Sequence, residues 1–169
     1  RLSPPAPTQP DRAQHHASVR WDVDGAVVEQ GEDSVGLRLA GWGRDGDLRA
    51  IDDVPPAPGD CLPSGEVDLD GACLPRVEYD HGDVIAWWGN RPVGIQQGWD
   101  LLVPPMGDGP VVIDVEVTGG VALPDPNGED VRIYEASGRS WRYGDVAAWD
   151  ASAACAVSCS AAERPRFTP

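Results

Sequence analysis

Four cysteines, two Asp-x-Asp-Gly patches, a histidine among carboxylates and a tryptophan cluster carry the chemistry open to this chain. Cys61 and Cys73 bound the polar, turn-rich stretch CLPSGEVDLDGAC, and Cys155 and Cys159 form a second local pair. An even count in two local pairs reads as a disulfide set in an oxidising compartment. A Cys61–Cys73 bridge stabilises by roughly 3 kcal/mol on the chain-entropy account. The rival reading is a zinc site, which wants two close pairs such as C-x2-C, or added histidine ligands. Here the first pair is 12 residues apart and the second is C-x3-C, so disulfides are the preferred reading.

Asp22-Val-Asp24-Gly25 and Asp68-Leu-Asp70-Gly71 share a spacing that lets alternate oxygens converge on a hard cation such as calcium. Neither patch supplies the whole EF-hand pattern, with its third oxygen residue and its glutamate at position 12. Asp-Gly is also the favoured hairpin turn, and plain turns are the simpler reading. If one patch holds calcium, Asp68 and Asp70 are the choice, because a flanking bridge pre-organises their loop. No other cofactor is expected.

Tyr79, Asp80, His81 and Asp83 gather polar groups beside a turn. A histidine near carboxylates can act as a general base or a ligand. No activated nucleophile accompanies it, and Ser34 in EDSVG lacks the G-x-S-x-G elbow. The expectation is an exposed turn histidine, with no catalytic residues. Trp87, Trp88 and Trp99 form the densest aromatic group. Adjacent strand residues point to opposite faces, so one of Trp87 and Trp88 is expected to face the core and the other to face out. An outward Trp88 or Trp99 would stack a sugar ring or anchor a partner. No glycine-rich phosphate loop or dinucleotide fingerprint is present.

The elements that must position these residues read as strands. Between Arg76 and Val117, short apolar runs alternate with Gly, Pro, Asn and Asp punctuation. Val111, Ile113, Val115 and Val117 fall on one face, and Val112, Asp114 and Glu116 on the other. Upstream, Trp21–Val23 and Ala26–Gln30 flank an Asp24–Gly25 turn signal, predicting a hairpin. Ser34–Trp42 predicts a strand with Val35, Leu37 and Leu39 facing inward. Leu48–Ile51 continues after a turn at Gly43–Gly46, and Asp52–Leu74 reads as a long irregular connection tethered by its cysteines. Further strands are expected at Val77–Tyr79, Val84–Trp88, Gln97–Val103, Pro110–Val117, Val131–Glu135, Ser140–Tyr143 and Val146–Trp149.

About ten short strands at regular spacing predict an all-β antiparallel sandwich, jelly-roll-like, hiding Ile113 and Leu101 between two sheets. Residues 1–17 read as a proline-rich extended arm whose His15 and His16 form a solvated pair. Residues 18–151 form the sandwich domain. Residues 152–169 are an Ala/Ser/Cys-containing tail. Asp150 is a good helix N-cap, so the segment after it reads equally as a short helix or as a turn closed by Cys155–Cys159. The 17 prolines and 20 glycines fit this turn-rich organisation.

The net formal charge is −15, and every one of the 13 basic residues is arginine. A field this negative repels phosphate backbones and anionic headgroups, which argues against nucleic acid as a partner. Solubility is the simpler reading of this charge, with divalent-cation binding, a basic partner or adaptation to salt as the sharper ones. No run approaches the ~18–20 apolar residues of a membrane span. The chain opens on Arg1 and carries no signal peptide, which suggests a processed product.

The segment VEYDHGDVIAWWGNRPVGIQQGWDLLVPP, followed by GDGPVVIDVEVTGG, resembles a β-rich domain of large secreted bacterial proteins of the myxobacterial type. In those proteins it precedes FG-GAP (integrin-α-like) repeats. Val77, Glu78, Tyr79, Gly82, Trp87, Asn90, Gly94, Gln97, Gly98 and Leu101 carry the resemblance. Gly107, Gly109, Pro110, Arg142, Tyr143, Asp150 and Ala151 extend it to roughly Val19–Ala151. Ala86, Gln96 and Trp99 depart from the pattern, as do the Cys61–Cys73 loop and the tail. No FG-GAP repeat lies within these residues.

The resemblance implies an extracellular, non-catalytic domain. Together these features predict a secreted structural or interaction module at the cell surface, outside the cell or in the periplasm. It would be an accessory subunit or excised domain of a larger assembly, with another protein, a basic one among the options, as partner. A carbohydrate-binding module and a calcium-stabilised adhesion domain are the alternatives.

Overall fold

The computed structural model of the chain describes residues 17–148, apart from 24, 64, 92, 93, 129 and 146, and the backbone of 166–168. The described residues contain strands and no helix. The expected proline-rich arm and the Cys155–Cys159 segment lie outside them.

β1 (Ser18–Asp22) and β2 (Gly25–Gln30) form the first hairpin, with Trp21 opposite Ala26. β3 (Asp33–Arg44) pairs with β2 through its first half and with β4 (Asp47–Ala50) through its second. β5 (Ala57–Cys61), β6 (Pro75–Asp80), β7 (Val84–Arg91) and β8 (Gly94–Leu101) follow as a four-stranded meander. β9 (Val111–Thr118) then returns to the first sheet beside β3. β10 (Val121–Pro124), β11 (Val131–Tyr134) and β12 (Ser140–Tyr143) make a three-stranded sheet. β13 (Arg166–Thr168) joins the other side of β9, in parallel.

The core lies between the six-stranded and four-stranded sheets, which makes the fold a β-sandwich. The first sheet supplies Ala26, Val35, Leu37, Leu39, Trp42, Val115 and Val117. The second supplies Tyr79, Val84, Ala86 and Trp88, and the small sheet closes the cluster with Ile133. Trp21 tilts against Trp88 with ring centroids 6.5 Å apart. Polar ties join the layers where apolar contact alone would let them slide. The Tyr79 hydroxyl donates to the Gly25 carbonyl at 2.8 Å, and the Tyr143 hydroxyl donates to Gln97 Oε1 at 2.9 Å.

β3 shows why simple alternation is insufficient. Val35, Leu37 and Leu39 are buried, as their period of two requires. Continued strictly, that period buries Gly41 and exposes Trp42. Instead the register slips: Leu39 faces Val115 across the ladder, while Gly41 faces Asp114. The extra residue, Ala40, is a β-bulge that returns Trp42 to the core face, opposite Ile113.

Three other expectations are corrected. Leu101 is 36% exposed rather than hidden, because it is the last residue of β8 and the chain leaves the sheet there. The long connection before Leu74 contains β5 and an isolated bridge between Val67 and Cys73. Of the strand expected at Val146–Trp149, Ala147 and Ala148 are irregular, and the other two residues lie outside the described set. β13 was not anticipated at all, since three residues carry no periodicity to read.

The connection is nonetheless tethered as its spacing predicts. Cys61 and Cys73 are bridged, with their Cα atoms 5.6 Å apart. Leu62 is buried and lies over Gly89, where an added Cβ would meet Leu62 Cδ2 at 2.2 Å. Arg91 also pairs with Glu66 across the loop, through Nη2 to Oε1 at 2.9 Å. Replacing both Cys61 and Cys73 with alanine is expected to cost about 3 kcal/mol of stability, mainly by releasing the unfolded chain. Denaturant unfolding of the variant beside the parent measures this, and an unchanged midpoint would contradict it.

Candidate functional site

A small cleft opens at one end of the sandwich, where the β1–β2 turn, β3, residues 51–53 and the end of β6 converge. Leu39, Tyr79, Ala86 and Trp88 form its apolar floor. Arg38, Asp52, Asp53 and His81 stand around its mouth. Its volume is about 20 Å³, room for one water molecule.

Each mouth residue is placed by its strand. Arg38 lies between the inward Leu37 and Leu39, so its side chain leaves the core face. It donates from Nε to Glu116 Oε2 at 2.6 Å and from Nη1 to Asp53 Oδ1 at 3.1 Å. Hydrogen bonding to Glu116, and then the charges of Glu116 and Asp53, raise its pKa against the cost of burial. His81 sits in the β6–β7 connection, where its own N–H donates to the Val84 carbonyl at 3.0 Å.

The imidazole of His81 is partly buried, and its Nδ1 atom is enclosed with no protein partner. Burial pushes its pKa below the ordinary histidine value, while the Asp52 backbone and the charges of Asp80 and Asp53 pull the other way. An exposed turn histidine was expected; the segment at residues 51–53 covers it instead. Because the folded-state pKa lies below the unfolded one, the unfolded chain takes up this proton first. His81 therefore favours folding above about pH 6.5, and that contribution is lost as pH falls from there through the depressed value. Comparing denaturant midpoints of the parent and His81→Gln from pH 7.5 down to 5 tests this. The parent is expected to fall faster, and parallel curves would contradict the assignment.

The residues singled out around His81 do not converge on one another. Asp80 Oδ1 accepts the Gly82 N–H at 2.8 Å and so caps its own turn. Asp83 pairs with Arg49 at 3.4 Å, and Arg49 in turn lies 5.8 Å from the Trp42 ring centre. Tyr79 points inward to Gly25. Arg38, Asp52 and Asp53 are what the fold brings to His81, and sequence reading missed them. Their only local signal is an arginine between two inward leucines. Among the described residues no serine, threonine or cysteine lines the cleft, and its arginine is matched by two carboxylates. The cleft works as a clasp across the mouth of the sandwich, joining β3 and β9 to residues 51–53.

The other candidate residues also find structural work. Asp68 Oδ1 accepts the N–H groups of Asp70 and Ala72, both at 2.9 Å, which is the geometry of a plain turn. Among the described residues, no group of three or more His, Cys, Asp or Glu side chains is placed to hold a metal. Asp22 Oδ1 likewise accepts the Val23 N–H at 2.9 Å, and Asp24 lies outside the described residues.

Trp88 is 2% exposed within the core and offers no free ring face, and Trp99 is half-buried against that core. Trp87 does point to the opposite face of its sheet, as adjacent strand residues must, yet it is only 4% exposed. Its ring packs closely on Gly98, and the Arg76 guanidinium lies over the ring, 5.3 Å from its centre. The indole N–H donates to Asp100 Oδ1 at 3.1 Å. Arg76 itself bridges Glu78 at 2.6 Å and Asp100 at 2.9 Å. The expected outward tryptophan is thus sealed beneath an ion-paired lid.

This is an acidic β-sandwich with a disulfide-tethered loop and an internally matched polar clasp. No family model matches the chain, and neither does any curated protein or solved structure.

Proposed function

We propose that this chain is a secreted, non-catalytic interaction module that docks on a basic protein in a larger assembly outside the cytoplasm. One observation carries the reading: among the described side chains, seven of the nine arginines spend their charge internally. Arg20, Arg38, Arg49, Arg76, Arg91, Arg139 and Arg142 each pair with a carboxylate of the same domain. A chain with a net charge of −15 therefore shows solvent a field made by its excess carboxylates. Such a field steers a positive partner into contact and repels nucleic acid. The Cys61–Cys73 bridge supports an oxidising location. The burial of Trp88 in the core speaks for this reading over a glycan-binding one.

The test is recovery of partners on the immobilised chain from the extracellular fraction of its source. A basic protein retained at roughly 0.1 M salt and released near 1 M, where the screening length falls to about 3 Å, supports the reading. Retention of only neutral or acidic proteins, unaffected by salt, overturns it.

A further inference from the structure

The chain leaves β8 on a run of apolar residues that face solvent. Leu101, Leu102, Val103 and Met106 are all exposed, Leu102 by 57% and Met106 by 78%. Single apolar side chains scattered over a surface are ordinary, whereas a contiguous group marks a contact. Every residue from 94 to 128 is described, the loop and both strands that carry it included.

The loop is held in place. The Leu102 N–H donates to the Asp83 carbonyl at 2.9 Å, and Pro105 is buried. Arg44, at the end of β3, donates from Nε to the Pro105 carbonyl at 3.2 Å and from Nη1 to the Gly109 carbonyl at 2.7 Å. The Asp45 N–H donates to the Pro110 carbonyl at 3.2 Å, which lays the β3–β4 turn alongside. Pro104 and Pro105 restrict the backbone further. Ordering a loop before contact lowers the entropy lost on binding, so apolar side chains already fixed in solvent are worth more to a partner.

The surroundings state the charge of that partner. The adjoining turn carries Asp45 and Asp47, both exposed, and Asp108 stands exposed in the loop itself. Arg44 is engaged with the two loop carbonyls. Apolar side chains bordered by carboxylates complement an apolar pocket rimmed by lysine or arginine.

We propose that the loop from Leu101 to Met106 is the docking anchor of the module. It inserts Leu102, Val103 and Met106 into an apolar pocket of a basic protein, while Asp45, Asp47 and Asp108 meet the lysines or arginines around it. The proposal rests on the interaction-module reading and names the surface that module uses.

The test uses the full chain, the full-length double variant Leu102→Ser/Met106→Ser and two fluorescent synthetic peptides of equal length and charge, read by anisotropy. One peptide alternates lysine with leucine, the other lysine with serine. The parent is expected to bind the lysine–leucine peptide about ten-fold more tightly than the lysine–serine peptide, which is what burying one large apolar side chain supplies. The double variant should lose that preference. Met106 supplies a second readout that needs no substitution. It is the one methionine of the chain, and hydrogen peroxide converts its thioether to the sulfoxide by giving up one oxygen and leaving as water. Peptide mapping follows the conversion. The lysine–leucine peptide should slow it several-fold, and the lysine–serine peptide at the same concentration should not.

Equal affinity of the parent for both peptides, an unchanged preference in the double variant, or undiminished Met106 oxidation under the lysine–leucine peptide each overturns the proposal. Protection of Met106 by a raised concentration of the chain alone, or by phosphatidylcholine vesicles, gives the loop to a second copy or to a lipid surface and overturns it too. The two readings fail separately. A basic protein recovered from the source that leaves Met106 oxidation unchanged removes the anchor and keeps the module. Protection of Met106 by the lysine–leucine peptide with no basic protein ever recovered removes the module as a reading and keeps the anchor.

Discussion

Gly98→Ala is expected to destabilise the domain by about 2–4 kcal/mol, an overpacking cost enlarged by partial ejection of a buried indole. The cause is a close approach. An ideal Cβ on Gly98 would stand 2.0 Å from Trp87 Cζ2, 2.4 Å from Cε2 and 2.6 Å from Cη2. The indole cannot simply lift away. The Arg76 guanidinium lies over the ring, and the indole N–H is held by Asp100. Moving the ring therefore disturbs the ion-paired lid as well as the packing. A double-mutant cycle separates this from a general intolerance of β8. Trp87→Ala alone is expected to cost about 3–5 kcal/mol, the usual range for emptying a buried tryptophan site. In that background Gly98→Ala should cost less than about 1 kcal/mol, because the clash is gone. Additive penalties would show that Gly98 is needed for something other than the indole.

The second large effect belongs to Arg76. Its side chain is 10% exposed, and it joins Glu78 to Asp100 above Trp87. Burial disfavours its charge, but hydrogen bonding to Glu78 and the charges of Asp100 and Glu78 outweigh that, so its pKa is raised. Arg76→Met removes the cation and leaves two carboxylates facing each other, one of them well shielded from water. Breaking a fully buried pair this way costs about 3–5 kcal/mol; because Asp100 is partly solvated, about 2–3 kcal/mol is expected here. Arg76→Lys should recover only part of the loss, since a lysine keeps the charge without the planar fork and the stacking surface. The triple variant Arg76→Met/Glu78→Gln/Asp100→Asn should be more stable than Arg76→Met alone, because no charge is then stranded. Thermal melts followed by tryptophan fluorescence decide it. Full recovery by lysine would mean that charge alone, rather than cover, is what Trp87 requires.

The two predictions concern the same patch, and the sequence pointed to it only halfway. Alternation along β7 places Trp87 and Trp88 on opposite faces. What seals Trp87 comes from two neighbouring strands, with Glu78 and Gly98 directly across the ladder from it. The covering Arg76 lies two residues before Glu78 on β6. Nothing in the dipeptide announces a glycine or an arginine there. The clasp at the mouth is a sharper case. Arg38, Asp53, His81 and Glu116 meet there although long stretches of chain separate them. The acids adjacent to His81 in sequence turn instead to Gly82 and Arg49.

The amino-acid sequence by itself determined the β class, most strand positions, the first hairpin and the Cys61–Cys73 tether. Each of these depends on a few consecutive residues: a period of two, a turn dipeptide, a short closed loop. Only the tertiary structure decided the bulge at Ala40, the burial of both Trp87 and Trp88, the exposure of Leu101 and the strand laid along β9. Those outcomes depend on which segment lies opposite which, and in what register. Pairing of that kind joins distant parts of the chain and leaves no local periodicity to read.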